Sequence, residues 1–162
     1  MRVAILGCGY VGLELGRQLR ETGHSVVGVR RSEDGLQDVS RAGIEAVRAD
    51  VTDPTTLTAV PDVDAIVYAV SSGGRGSIAA ARRAYVDGLE TTVAAFGARD
   101  SPPDRLVYTS STGVYGDHGG DWVDEGTPIA PNTERGQVLL TAEEVALDAA
   151  ELAWTCPDDA FA

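Results

Sequence analysis

Three glycines near the start of the chain, Gly7, Gly9 and Gly12, stand in a G-x-G-x-x-G run that also holds Tyr10 and Val11. This spacing suits a dinucleotide: a tight turn at Gly7, close approach of backbone to a pyrophosphate at Gly9, and close helix–strand packing at Gly12. The run follows an apolar stretch, Arg2–Leu6, and opens a segment in which Val11, Leu15 and Leu19 recur on one helical face. Strand, glycine turn and helix N-terminus in that order offer free N–H groups and a positive dipole end to phosphates. Where NAD-binding domains carry an acidic residue for the ribose 2′-hydroxyl, about 20 residues on, this chain has Arg30-Arg31-Ser32. Guanidinium groups grip a phosphate bidentately, so Arg30 and Arg31 point to NADP(H) in preference to NAD(H).

The rest of the chain alternates strand-like and helix-like segments around this motif. After a first helix to about Thr22, Gly23-His24 turns into a second strand, Ser25–Val29. A short helix around Leu36–Arg41 leads to a third strand at Ile44–Arg48. Asp53-Pro54 reads as an N-cap with proline at the first helical position. Ala65–Val70 is a fourth strand, and small residues at Ser71–Ser77 lead to a long helix over Ile78–Phe96. A fifth strand, Arg105–Thr109, precedes a glycine-rich loop, Gly113–Pro131, and a last helix from about Thr133 to Leu152. Trp154-Thr155-Cys156 has the character of a sixth strand. The expected fold is α/β: a Rossmann-type, doubly wound parallel sheet of five to six strands in three αβα layers, forming one domain over residues 1–162.

Composition narrows the partners. Thirteen basic and 25 acidic side chains give a net charge of −12, and every basic residue is arginine. Such a surface repels phosphate backbones, which argues against nucleic acid. It points to a protein adapted to high salt, where screening relieves the self-repulsion; the alternative is a GC-rich genome that favours arginine codons. Cys8 and Cys156, with His24 and His118, match no metal-ligand or disulfide spacing. Ala65–Val70 is the longest apolar run, far below the ~18 residues of a membrane span. No signal peptide follows Met1-Arg2, so the expected compartment is the cytoplasm.

Tyr108-Thr109-Ser110-Ser111-Thr112-Gly113-Val114-Tyr115-Gly116 resembles the strand-end motif of the extended short-chain dehydrogenase/reductases, the NAD-dependent epimerase/dehydratase family. Arg48–Asp53, Ala65–Val70, and Asp121–Glu125 with Pro131 resemble further stretches of that family, in order. The resemblance implies that Asp50 and Val51 flank an adenine and that Ala69 lies near the ribose and pyrophosphate. It makes Ser111 the catalytic hydroxyl that hydrogen-bonds the substrate's reacting oxygen. Leu6 stands where most extended members have glycine, which shifts the likeness to the atypical branch.

The same resemblance exposes a gap. The family's proton chemistry uses a tyrosine and a lysine four residues later, and the matching positions here are Arg135 and Leu139. No tyrosine follows Tyr115, the chain has no lysine, and arginine with a pKa above ~12 cannot shuttle protons. Tyr115 is the remaining candidate proton donor. The family also continues for about as many residues again in a substrate lobe, so this chain looks truncated. Two functions fit. One is an NAD(P)-dependent oxidoreductase or epimerase acting on a nucleotide-sugar or a small carbonyl or hydroxyl substrate. The other is an inactive NADP(H)-binding module or remnant. The helices Ile78–Phe96 and Thr133–Leu152 resemble the pair through which family members dimerise, and their apolar faces equally suit covering the sheet.

Overall fold

A computed structural model of the chain describes residues 1–73 and 76–151. Five strands form one sheet, all parallel, in the order β3-β2-β1-β4-β5. They are β1 (Arg2–Leu6), β2 (Ser25–Arg30), β3 (Glu45–Arg48), β4 (Ala65–Tyr68) and β5 (Arg105–Tyr108). The helices are α1 (Tyr10–Glu21), α2 (Glu33–Arg41), α3 (Pro54–Leu57), α4 (Ile78–Arg82), α5 (Gly88–Gly97) and α6 (Glu134–Glu151). The candidate sixth strand at Trp154–Cys156 lies outside the described residues.

Because strand side chains alternate between faces, β1 feeds two cores. Val3 and Ile5 pack with Cys8, Val26, Val39, Ile44 and Val67 on one face. Ala4 and Leu6 pack on the other with Leu57, Tyr68, Leu89, Phe96 and Val138. Both faces are therefore covered, as parallel sheets require. The strand order reverses beside β1, between β2 and β4, which opens a crevice at the C-terminal ends of the strands.

Two expected elements differ. α2 starts at Glu33 rather than near Leu36, because Ser32 is its N-cap and accepts a hydrogen bond from Gly35 N at 3.3 Å. The expected unbroken helix over Ile78–Phe96 is divided by a π-helical turn, Arg83–Asp87. Tyr68 Oη donates to Ala84 O at 2.5 Å within that turn, the kind of side-chain intrusion that distorts a helical ladder. Gly88 then sits so close that a Cβ there would lie 2.5 Å from Tyr68 Oη and 2.7 Å from Val51 Cγ2. Asp53 caps α3 as expected, accepting from Thr55 N at 3.0 Å, with Pro54 at the first position.

Overpacking at this contact has a measurable cost. Gly88→Ala should destabilise the chain by about 1–3 kcal/mol, since both neighbours are buried. Urea unfolding followed by circular dichroism would read the loss, and an unchanged midpoint would show that α5 is free to move off the sheet.

Candidate dinucleotide site

The crevice is a cleft of about 1310 Å³ whose lining includes Gly7, Gly9, Tyr10, Val11, Arg30, Arg31, Asp50, Val51 and Ala69. Nine of the ten expected cofactor positions thus meet in one place. Gly12 stands behind them, and a Cβ there would come within 2.8 Å of Ile5 Cγ2, which is the packing role its spacing implied.

The floor is the turn between β1 and α1. Gly7 N and Cys8 N both donate to Val29 O, at 3.2 and 3.1 Å. Gly7 has φ +79°, and a Cβ on it would lie 2.6 Å from Val70 Cα. Helix α1 then opens on the cleft with no side-chain cap and no acidic residue in its first turn. Its leading N–H groups and its dipole are left for an anion.

One wall is built by arginines. The Arg30 guanidinium occupies the space beside two glycines: a Cβ on Gly9 would lie 2.6 Å from Arg30 Nη1, and one on Gly35 would collide with Arg30 Nε. Gly9 therefore makes room for a cation as well as for any ligand. Arg31, largely exposed, donates to Asp50 Oδ2 at 3.2 Å. Asp50 Oδ1 accepts from Thr52 N at 3.0 Å and Thr52 Oγ1 at 2.8 Å. Burial opposes ionisation of Asp50, but the Thr52 donors and Arg31 outweigh it and hold the carboxyl below its usual range. Arg48 bonds the Arg31 carbonyl at 3.1 Å and pairs with Glu33, which fixes the backbone behind Arg31.

The opposite rim lies at the ends of β4 and β5. Ser111 caps a short 3-10 turn, Thr112–Val114, its Oγ accepting from Gly113 N at 3.3 Å. Tyr115 is half-buried just beyond that turn, and its carbonyl lies 3.0 Å from His118 Nε2. Neither residue is among those lining the cleft. Leu139 is buried, whereas Arg135 reaches forward from the first turn of α6 to Ser72 Oγ at 3.0 Å and Gly76 O at 2.8 Å. Tyr85, in the π-turn, approaches the same Ser72. Sequence periodicity gave no sign of Tyr85, because its exposure depends on a helical defect.

With this geometry in view, a family described as NAD(P)H-binding matches residues 7–156. The chain belongs to that family. It is 33% identical over 148 residues to Protein YeeZ of Escherichia coli strain K12, an alignment covering 88% of this chain and 52% of that protein. A UDP-galactose 4-epimerase structure superposes with a TM-score of 0.78 at 22% identity, over 94% of this chain and 52% of that one. UDP-glucuronic acid 4-epimerase from Bacillus cereus in complex with NAD gives a TM-score of 0.75 at 18% identity, over 94% and 53%. The chain spans about half the length of the relatives it matches. The fold is that of the epimerases, as the strand-end motif implied. No helix among the described residues is long and apolar enough to cross a membrane. Among the same residues no cluster of three or more His, Cys, Asp or Glu is placed to hold a metal.

The turn also carries a thiol whose behaviour is fixed by its surroundings. Burial pushes Cys8 up to about 11, against the lowering effect of Arg30. Since the thiolate is the reactive form, Cys8 in a Cys156→Ser background should resist a disulfide reagent at pH 8. Reaction should become fast only as the pH nears 11. Fast labelling at pH 8 in the folded protein would show that the turn opens to solvent.

Proposed function

We propose that the cleft of this NAD(P)H-binding protein takes NADP(H) in preference to NAD(H). The observation that carries this reading is the wall at the end of β2, where Arg30 is seated between Gly9 and Gly35 and Arg31 stands exposed at the rim. Two guanidinium groups at the strand end, where NAD-binding domains carry an acidic residue, suit a 2′-phosphate. Asp50 is paired with Arg31 and positions it. In this arrangement the N-terminus of α1 receives the pyrophosphate, while Asp50 and Val51 flank the adenine and Ala69 the ribose. When bound, the dinucleotide supplies or accepts hydride.

The epimerase fold supports an oxidoreductase or epimerase acting on a nucleotide-sugar or a small carbonyl or hydroxyl compound. Ser111 is then the hydroxyl that polarises the substrate oxygen. A second reading, an NADP(H)-binding module without turnover, is favoured by Arg135 and Leu139 at the positions of the family's tyrosine and lysine. The two readings share the cofactor and differ in the proton donor.

NADPH and NADH titrations followed by fluorescence, at low and molar salt, test the shared part. NADPH should bind more tightly. Arg31→Ala should weaken NADPH by roughly 10- to 100-fold, the worth of a charge-assisted hydrogen bond, and leave NADH nearly unchanged. Equal affinity for both nucleotides in the wild type would refute the preference.

A further inference from the structure

Two phenols stand close together at the rim and are treated oppositely by their surroundings. Tyr108 Oη, at the end of β5, is buried and has no hydrogen-bond partner among the described residues. Burial, then Glu143 and Tyr85, push it up to about 12, with Ser110 opposing. Tyr85 differs. Its Oη accepts from Ser72 N and from Ser72 Oγ, both at 3.5 Å, and the phenolic hydrogen is spent on neither. Ser72 Oγ is in turn the acceptor for Arg135 Nη1 at 3.0 Å, which leaves the serine hydrogen for Tyr85. Burial opposes ionisation of Tyr85, but the Ser72 donors, Ser71 and the Arg135 charge outweigh it and hold the phenol below its ordinary value.

The location agrees with the chemistry. Ser71, Ser72, Arg83 and Ala84 line the cleft, and Tyr85 stands directly behind that lining, joined to it through Ser72. Tyr85 lies in the π-turn, and π-turns occur frequently at functional sites. The groups facing it are Arg135 from α6 and Tyr108 from β5, with Glu143 of α6 beyond Tyr108. Contacts of 3.5 Å are long, which is common for acid–base groups before a ligand tightens the site.

We propose that Tyr85 is the proton-exchanging residue of this site, acting on a carbonyl or hydroxyl oxygen of a bound substrate, with Ser72 and Arg135 as its positioning residues. The proposal rests on the dinucleotide reading above and assigns the proton donor that the Arg135 and Leu139 positions leave open. In the reducing direction the phenolic O–H bond breaks as an O–H bond forms at the substrate oxygen. The hydride that arrives on carbon is supplied by the reduced dinucleotide. The phenolate left on Tyr85 is stabilised by Ser72 and by the fixed charge of Arg135, and water returns the proton. In this assignment arginine never loses its proton; it serves as the permanent cation.

The test is a pH titration of the whole chain labelled with carbon-13 at the tyrosine ζ position, observed by NMR. One resonance should titrate below the ordinary value near 10, and Tyr85→Phe should remove it. Arg135→Leu should raise that midpoint, the effect of losing a nearby cation and the donor that orients Ser72, while Arg135→Lys should raise it less. Tyr115→Phe should leave the resonance in place. A Tyr85 midpoint at or above 10, or one that Arg135→Leu does not move, overturns the proposal. NADPH binding by the wild-type chain is measured in parallel. Its failure sinks the nucleotide reading and this assignment with it, whereas intact NADPH binding beside a Tyr85 midpoint at or above 10 overturns the proton assignment alone.

Discussion

The contact on which everything else depends is the approach of the Gly7 turn to the end of β4. A Cβ at Gly7 would lie within 2.7 Å of Val70 Cα, Val70 N and Ala69 O. With its N–H bonded to Val29 O, the turn is held simultaneously by β2 and β4. That pinning sets where α1 begins, and hence where its uncapped N-terminus points. It also sets the depth of the cleft between the arginine wall and the β4–β5 rim. A bulkier residue at Gly7 would move all three together, since interiors at native density have no slack to absorb the shift.

The two walls do different work with the same residue type. On the β2 side, Arg30 and Arg31 sit at the strand end and line the cleft. On the β5 side, Arg135 turns both of its hydrogen-bonding nitrogens inward, to Ser72 and Gly76. It thereby ties α6 to the segment leaving β4. A lysine in its place would bring one compact charge and no fork, and could not hold both acceptors with the same planarity. The arginine-only composition thus has a structural counterpart: cations in this chain brace loops as well as attract anions.

Much of this was legible in the sequence. The Rossmann turn, the alternation of five strands with helices and the Asp53-Pro54 helix start are local signals. Each depends on a few adjacent residues with strong backbone preferences. The β2 end was legible for the same reason, because arginines directly after a strand must lie at its C-terminal edge. Legibility stopped where position depends on contacts between distant segments. Nothing local announces that Tyr68 Oη bonds the Ala84 carbonyl, so the π-turn was invisible, and with it the placing of Tyr85. Ser111 and Tyr115 were found by motif, yet the loop that carries them is held by its own short bonds rather than by the cleft. Ser32 was read with the arginines and proved to start α2 as well, one residue serving strand end and helix cap at once.

The seat of Arg30 between Gly9 and Gly35 couples recognition to architecture. The guanidinium fills a slot cut from two backbones, one in the phosphate turn and one in the first turn of α2. A shorter side chain at position 30 would leave that slot unfilled, with a void between turn and helix. Whatever stands at position 30 is therefore felt by the turn and by α2 together, so the end of β2 acts as a spacer between two backbones as well as a surface.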